Sequence, residues 1–489
     1  MRKITLPTLA LVLVGVMAAP VHAADRQPPT LNWQRCAADG PADHECATLK
    51  VPLDYSRPGG QRFDLAVSRI RTARPGLRRG VLALSQGGPG MPGIDQPLTK
   101  RAVFPAEVLD RYDLVAIDHR GTGRSTQLRC GLTQRETVFA RSYRPATFDQ
   151  HVADTRSYAA KCAQVHGELL PHLSTRNIAR DLDSVRAALG EERLSLYGFS
   201  NGGYVNAVYT QLFPARADRV VLDSTPGPTV LGPDFWRDNY VDGEATFERW
   251  LTWAASRNAE YGLGESPDRI RALVWDLVAR LDRQPVPWQG TAYDGDELRT
   301  SLRYRAYTPE AAAELVRGLR QAADRGETGG ESGWTPFEGL HGYLCGDVSW
   351  PRDPEWYRRR MIENRKRYPL TGDIFTSIQP CAFWTPAREP LTLLGNDHPV
   401  LMLQNERDPA TPLTGARDMA TRLRGARLVL VAGGAGHGVY RGTVGACVRE
   451  VLTRYLVAGA LAARSCPAAG SDQRRSVPAA APHPALRTG

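Results

Sequence analysis

The chain has 489 residues, of which 42% are hydrophobic and 23% charged, and its formal net charge is +10 at pH 7. These proportions are typical of a folded globular protein and exclude a disordered, collagen-like or coiled-coil chain. The sequence contains no run of five like charges and no stripe of Arg or Lys alternating with aromatic residues. Nucleic acid is therefore not an expected partner.

The first residues have the pattern of a secretory signal peptide. Arg2 and Lys3 form a basic start, residues 4–19 are apolar, and Val21 and Ala23 place small residues at a cleavage site. A membrane anchor is the alternative, but the apolar run is shorter than the ~20 residues that a spanning helix needs. We expect cleavage after Ala23 (signal peptide 1–23), secretion to the extracellular space, and no membrane insertion.

Short β-branched or aliphatic runs predict strands along the chain. Residues 47–52 and 63–71 flank a Pro- and Gly-containing turn and predict a leading antiparallel hairpin. Further runs, bounded by polar or glycine-rich turns, are typical of strands buried on both faces of a parallel sheet. They are residues 80–85, 114–118, 194–198, 220–223, 400–404 and 428–431.

Helical patterns separate several of these runs. Residues 179–189 and 204–212 repeat apolar side chains at helical spacing. Alternation of strands and helices predicts an α/β fold with a mostly parallel sheet and helices on both faces.

Residues 232–390 differ from the rest of the chain in composition and pattern. They hold nine of the ten tryptophans, amphipathic helical segments and no convincing strand run. We interpret them as a helical cap inserted between a first core part, 24–231, and a second, 391–466. The alternative is that they belong to the helical layer of the main domain. Residues 467–489 are rich in Pro, Ala and Arg without periodicity, which predicts a disordered tail.

All eight cysteines follow the predicted cleavage site, and none has metal-ligand spacing. In an oxidising compartment their even number predicts four disulfides. Spacing alone leaves the pairing open, and we predict nearest-neighbour bridges because each would close one local loop. The predicted pairs are Cys36–Cys46, Cys130–Cys162, Cys345–Cys381 and Cys447–Cys466.

A G-x-S-x-G pattern centred on Ser200 lies directly between a predicted strand and a predicted helix. This arrangement is typical of a strained turn that exposes a serine hydroxyl. The N-terminus of the following helix favours developing negative charge. The pattern predicts Ser200 as a nucleophile, and the alternative is a tight glycine-rich turn with a capping serine.

A glycine-rich loop, Gly87-Gly88-Pro89-Gly90, follows the strand that ends at residue 85. Such a loop can turn backbone N–H groups toward an oxyanion, and glycine leaves room for the substrate. We expect the amides of Gly88 (or Gly87) and Asn201 to form an oxyanion hole. A plain turn is the alternative.

Asp408 and His437 each follow a late predicted strand, His437 in a glycine-rich loop. The chain order Ser200, Asp408, His437 is the order that α/β-hydrolases use for a catalytic triad. We therefore predict these three residues as the triad. Asp223, at the end of the strand after the nucleophile helix, is the alternative acid.

Two other histidines are weaker candidates. His119 lies upstream of Ser200 and breaks the chain order, and we interpret its segment as a structural turn whose Asp118 and Arg120 tie neighbouring loops together. His398 precedes its strand, at the wrong end of the sheet. No H-E-x-x-H motif, calcium-loop pattern or phosphate-loop spacing occurs, so we expect no metal and no cofactor.

In combination, these motifs resemble those of the prolyl aminopeptidase family of α/β-hydrolases and, more closely, the secreted tripeptidyl aminopeptidases of Streptomyces and related actinobacteria. The resemblance extends over residues 31–466, and two departures are Asn201, where relatives often carry Tyr, and residues 253–255, where we would expect another cysteine. The residues that carry it are Gly87–Gly90, Asp118–Ser125, Gly198–Gly203, Pro380–Trp384 and Asp408–Pro412.

The resemblance implies an α/β-hydrolase fold with an inserted helical cap, and a serine exopeptidase acting on peptides with a free N-terminus. We expect a monomer. A free α-amine needs a carboxylate partner, and Glu244, Glu338 and Asp347 are candidates among which the sequence does not choose. An exported carboxylesterase with the same triad is the alternative activity, and a non-catalytic binding protein on a hydrolase scaffold is the alternative class.

Overall fold

The computed structural model describes residues 31–137, 141–228, 232–329, 338–441 and 443–469. The predicted signal peptide lies outside the described residues. Within the described ranges, no helix combines the length and the apolar character that crossing a membrane requires.

Strands and helices alternate along most of the chain. The strands are β1 Gln34–Arg35, β2 Glu45–Pro52, β3 Arg62–Ile70, β4 Gly80–Ser85, β5 Tyr112–Ile117, β6 Leu194–Phe199, β7 Ala217–Asp223, β8 Val286–Trp288, β9 Thr291–Tyr293, β10 Val400–Arg407, β11 Ala426–Ala435 and β12 Arg464–Pro467. The helices are α1 Gln96–Arg101, α2 Ala106–Leu109, α3 Gln134–Thr137, α4 Phe148–His166, α5 Thr175–Ala188, α6 Asn201–Leu212, α7 Arg237–Ser256, α8 Asn258–Tyr261, α9 Pro267–Arg283, α10 Gly295–Arg305, α11 Pro309–Asp324, α12 Glu338–Asp347, α13 Pro354–Arg367, α14 Leu413–Arg422 and α15 Ala446–Ala458. Short 3₁₀ helices lie at Pro75–Leu77, Leu170–His172, Pro214–Arg216, Gly232–Asp234 and Pro380–Phe383.

All strands except β8 and β9 form one sheet in the order β1-β2-β3-β5-β4-β6-β7-β10-β11-β12. The pairs β1–β2, β2–β3 and β3–β5 are antiparallel, and every pair from β5 to β12 is parallel. Parallel neighbours need crossover connections, which the intervening helices supply. The predicted α/β-hydrolase fold is confirmed.

The predicted strand runs and the two predicted helices all occur, with ends that move by a few residues. The prediction missed the edge strands β1 and β12. Pro467, predicted as the first residue of a disordered tail, is instead the last residue of β12, because this strand pairs with β11 and the disulfide of Cys466 holds it. Residues 470–489 lie outside the described residues.

Buried side chains lie on both faces of the sheet. On β6, Leu196 belongs to one hydrophobic core together with Val205 of α6, whereas its neighbour Tyr197 faces the opposite core with Leu452 of α15. Adjacent residues of a strand point to opposite faces, so a strand covered by helices on both sides is apolar throughout. This explains the continuous apolar runs of the sequence.

Residues 232–390 contain a helical core of their own, in which α7, α9, α10 and α11 pack side chains such as Phe247, Leu277 and Leu302. The short antiparallel pair β8–β9 also lies here, although the sequence analysis expected no strand in this region. Residues further along the same segment, including Tyr343 and Trp384, pack in the main core instead.

Four disulfides use all eight cysteines. The pairs are Cys36–Cys46, Cys130–Cys162, Cys345–Cys381 and Cys447–Cys466. The predicted nearest-neighbour pairing is therefore confirmed.

Candidate active site

The parallel strands end in register at one edge of the sheet. Ser85 pairs with Gly198, and Asp223 pairs with both Phe199 and Leu403. The loops that follow β4, β6, β7, β10 and β11 therefore leave the sheet on the same side. In open α/β sheets this carboxyl edge is where ligands bind.

Ser200 occupies a strained turn between β6 and α6. Its φ of 56° and ψ of −128° are unusual for a residue with a side chain. A Cβ at Gly198 would collide with the Gly202 carbonyl, and one at Gly202 would collide with the carbonyl of Ser85. Only glycine at these two positions lets strand, turn and helix approach so closely, which explains the G-x-S-x-G spacing.

The glycine-rich loop after β4 lies against Ser200. A Cβ at Gly87 would be 2.7 Å from the Ser200 Cβ. The Gly87 amide donates to Oε1 of Gln86 at 3.0 Å. Among the hydrogen bonds of the described residues, none is donated by the amides of Gly88 or Asn201. Of the two glycines considered from the sequence, Gly87 thus has an amide that is already bonded within the protein.

Asp408 and His437 form a close pair in which the carboxylate is buried. Nδ1 of His437 lies 3.0 Å from both carboxylate oxygens of Asp408, whose side chain has no exposed area, while that of His437 is 11% exposed. The amides of Ala410 and Thr411 each donate to Oδ1 of Asp408 at 2.9 Å. These bonds fix the carboxylate so that it can hold the imidazole by its Nδ1–H.

The sequence analysis missed Asn405, whose side chain hydrogen-bonds to the loop that carries His437. Its Nδ2 donates to the carbonyls of Gly436 at 2.9 Å and Gly438 at 3.3 Å, on either side of His437. Asn405 lies inside β10 and has no motif around it, so only its position opposite the loop reveals this contact.

Ser200 and His437 lie on neighbouring loops. The ring of Phe199, the residue before Ser200, is 4.7 Å from the His437 ring between centroids. The structure brings Asp408 and His437 into contact, but no hydrogen bond within the described residues joins His437 to Ser200. Such bonds often form only when substrate is bound.

The alternative acid and the alternative histidines have other partners. Asp223 accepts from the backbone amides of Val439 and Tyr440 and not from the ring of His437. Burial lowers the pKa of His119 to about 4. His398 lies before β10 and its Nε2 is 3.3 Å from the Asp218 carbonyl.

The segment around His119 ties loops together, as predicted. The carboxylate of Asp118 accepts from the amides of Gly93, Ile94 and Arg124 at 2.6–2.9 Å. The guanidinium of Arg120 forms a fully buried ion pair with Asp181.

A small cavity adjoins the nucleophile turn. A second one shares Thr175, Tyr204 and Asp347 with it. The lining of the first consists of Pro89, Thr175, Asn201, Tyr204, Gly232, Phe235, Tyr343, Leu344, Asp347 and Val348. Aromatic rings and one carboxylate thus surround the space beside Asn201 and the glycine-rich loop.

The cavity distinguishes the three acids considered from the sequence. Asp347 lines it, and its two oxygens accept from the amide of Thr175 at 2.7 Å and from its hydroxyl at 2.6 Å. Burial raises the pKa of Asp347 to about 6. Glu244 accepts from a backbone amide of residue 370 and Glu338 from one of residue 130, and neither lines this cavity.

Among the described residues, no group of three or more His, Cys, Asp or Glu is arranged to hold a metal ion.

Known proteins resemble this chain over most of its length. A family model described as TAP-like protein matches residues 368–466. Tripeptidyl aminopeptidase of Streptomyces coelicolor is 32% identical over 483 residues, which cover 91% of this chain and 87% of that protein. Serine protease Hip1 of Mycobacterium tuberculosis is 27% identical over 93% of this chain and 94% of its own. Carboxylesterase B of the same species is 28% identical over 81% of each chain.

Proposed function

Because the chain belongs to the tripeptidyl aminopeptidase family of α/β-hydrolases and is a serine hydrolase, we propose that it is an exopeptidase that hydrolyses peptide bonds near free N-termini. The observation that carries the proposal is the buried Asp408 carboxylate, 3.0 Å from Nδ1 of His437, at the same sheet edge as Ser200. A histidine oriented by a buried carboxylate is the base that a serine nucleophile needs.

In the proposed mechanism, Oγ of Ser200 attacks the peptide carbonyl while Nε2 of His437 takes the hydroxyl proton. Asp408 keeps the proton of the imidazole on Nδ1 and stabilises the imidazolium that forms. In the proposed substrate complex, Nε2 of His437 and the hydroxyl of Ser200 are within hydrogen-bond distance.

The amides of Gly88 and Asn201 would then stabilise the tetrahedral oxyanion, and one such donor contributes about 3 kcal/mol to the transition state. His437 gives its proton to the leaving amine, and water hydrolyses the acyl-enzyme by the same steps. The mechanism calls for no metal and no cofactor.

Recognition of a free N-terminus is assigned to Asp347. Asp347 lines the cavity that Asn201 and Pro89 also line, beside the nucleophile turn, so a peptide whose amine bound there would extend toward Ser200. With a pKa of about 6, Asp347 is negatively charged at neutral pH, when a peptide α-amine carries a proton. Charge-assisted hydrogen bonds of this kind are stronger than neutral ones.

Residues 232–390 are the proposed cap over a hydrolase core made of residues 24–231 and 391–466. Two observations support this division: the separate helical core of α7, α9, α10 and α11, and the cavity lining that Phe235, Asp347 and Val348 provide. A roof of this kind would exclude the middle of a long chain and admit an end.

Export by the signal peptide at residues 1–23 completes the proposal. The four disulfides support an oxidising compartment. We propose an extracellular, monomeric enzyme.

The decisive experiment replaces the nucleophile. S200A should lose at least about 10⁴-fold in kcat on a tripeptidyl p-nitroanilide with a free N-terminus, and it should not label with a fluorophosphonate. S195A, on the same strand, is the matched control and should keep its activity, because Ser195 contacts Asp218 rather than the triad loops. An active S200A would contradict the proposal.

The carboxylesterase alternative is tested with the same protein, since one relative is a carboxylesterase B. We expect hydrolysis of the free-amine anilide and little hydrolysis of its N-acetylated form. Turnover of short p-nitrophenyl esters without hydrolysis of any free-amine peptide would favour the esterase.

A further inference from the structure

Two fully buried residues at the end of β7, Asp223 and Ser224, have contacts that the triad does not explain. Ser224 has a φ of 55°, a left-handed conformation that a residue with a side chain adopts at a cost. We name Asp223 and Ser224 together the β7 clamp. Its backbone and side chains meet three different loops.

The first contact is with the nucleophile turn. The carbonyl of Asp223 accepts a hydrogen bond from the amide of Ser200 at 2.8 Å. The strained residue that bears the reacting hydroxyl is therefore attached directly to the clamp.

The second contact is with the histidine loop. Three successive amides after His437 donate to the clamp: Gly438 to Oγ of Ser224 at 3.1 Å, Val439 to Oδ1 of Asp223 at 2.8 Å, and Tyr440 to Oδ2 at 2.9 Å. Together they hold the backbone that leads away from the imidazole.

The third contact is with the loop of Asp408. The carbonyl of Ser224 accepts from the Thr411 hydroxyl at 2.8 Å. The amide of Ser224 donates to the carbonyl of Leu403 at 2.9 Å, on the strand that leads to Asp408.

A buried cation accompanies this carboxylate. Nζ of Lys100 donates to the Tyr440 carbonyl at 3.1 Å and to the Tyr197 hydroxyl at 3.3 Å, and the Tyr197 hydroxyl donates to Asp223. Burial lowers the pKa of Lys100 to about 8, and the charge of Asp223 opposes that shift. The clamp thus carries a charge that neighbouring groups compensate inside the protein.

We infer that the β7 clamp is the positioning unit of the active site, which sets the relative placement of Ser200, Asp408 and His437. The inference rests on the triad of the proposed function. Each contact by itself is an ordinary hydrogen bond, but this dipeptide joins all three loops. A shift of the clamp displaces nucleophile and base relative to each other, and displacements near 1 Å reduce rates by about 100-fold.

The principal test is D223N. An amide side chain has one oxygen and one NH₂ group, so either the amide of Val439 or that of Tyr440 would face a donor. We expect kcat to fall about 100-fold with KM changed less than about threefold. The folded state at 25 °C, checked by near-UV circular dichroism, should remain.

D118N is the matched control, because Asp118 is also a fully buried carboxylate that accepts backbone amides, from Gly93, Ile94 and Arg124. Both variants should lower the melting temperature. Only D223N should lower kcat and the rate of fluorophosphonate labelling, because these rates report on the geometry around Ser200.

A second pair of variants separates an effect on the stability of the protein from an effect on the placement of the loop after His437. S224A and S224G both lose the acceptor for the Gly438 amide, but glycine adopts φ of 55° without strain. We expect the two melting temperatures to differ and the two kcat values to fall by a similar factor, about tenfold.

The inference is overturned if the kcat of D223N stays within threefold of the wild-type value, or if activity in the four variants follows melting temperature alone. A loss in D223N equal to that in D408N would also overturn it, since Asp223 would then act as the triad acid. An active S200A would refute the proposed function itself, whereas an inactive S200A with a fully active D223N would refute only the positioning role.

Discussion

The carboxyl edge of the sheet and the helical core of α7, α9, α10 and α11 hold together by different interactions. At the edge, fully buried polar groups such as Asp223 and Asp408 have several hydrogen bonds each. The helical core consists of side chains such as Phe247, Leu277 and Leu302. Buried polar groups need partners in one geometry, whereas apolar packing tolerates substitution of similar volume. A substitution at the carboxyl edge should therefore disturb the placement of polar groups. A substitution in the helical core should mainly affect packing and stability.

The two regions meet at the loop after Asp408. Asn239 of α7 donates to the carbonyls of Pro409 and Ala410, and Nη1 of Arg303 on α10 donates to Pro409 at 2.8 Å. The helical region thus contacts the carboxyl edge through backbone carbonyls rather than through the side chains of the predicted triad.

Among the variants that keep the nucleophile, the largest effect is expected from D408N. The amide no longer stabilises the imidazolium and can favour the wrong tautomer of His437, so kcat should fall about 10⁴-fold. Steady-state kinetics on the free-amine anilide measures it. E406Q, on an exposed side chain of the same strand, is the control. A D408N variant with a loss under tenfold would remove Asp408 from the triad.

D347N should come next. Without the carboxylate, kcat/KM on free-amine peptides should fall about 100-fold, the cost of a lost charge-assisted contact of roughly 3 kcal/mol. Hydrolysis of p-nitrophenyl esters, which have no amine, should change little. E338Q is the control, since Glu338 lies outside the cavity. Equal losses on both substrate classes would contradict amine recognition by Asp347.

The pH dependence of kcat/KM should report the protonation of Asp347. Burial raises the pKa of Asp347 to about 6, against the opposing effects of Thr175 and Arg176. Below pH 6 the carboxyl gains a proton and loses its charge, so kcat/KM for the free-amine peptide should fall relative to that for an ester, by up to about tenfold per pH unit. Protonation effects that are common to both substrates cancel in the ratio. In D347N this ratio should not vary over the same range.

A smaller effect is expected where the two regions meet. N239A removes the donor to Pro409 and Ala410, so the Asp408 loop gains freedom and kcat should fall a few-fold, the equivalent of about 1 kcal/mol. N364A is the control, since among the described residues the side chain of Asn364 donates to the Arg360 carbonyl within α13. A 1,000-fold loss in N239A would show that the helical region takes part in the chemistry.

The smallest effect on activity is expected inside the helical core. L277A removes a fully buried side chain and should lower the free energy of unfolding by about 2–5 kcal/mol. Urea denaturation measures this loss. The kcat of the folded protein at 25 °C should stay within twofold of the wild-type value. A large fall would contradict the expectation that the helical core affects stability and not the chemical step.

Local patterns were enough to predict the eight strands β2–β7, β10 and β11, two of the helices, the disulfide pairs and the G-x-S-x-G turn at Ser200. Each depends on neighbours along the chain: an apolar run between turns, cysteines close in sequence, or glycines beside a serine. Only the tertiary structure shows that Asp347, rather than Glu244 or Glu338, lines the cavity, and that the amides of Val439 and Tyr440 donate to Asp223. Those contacts depend on which groups face each other across strands far apart in sequence, and a side chain's neighbours in space have no signature in its neighbours along the chain.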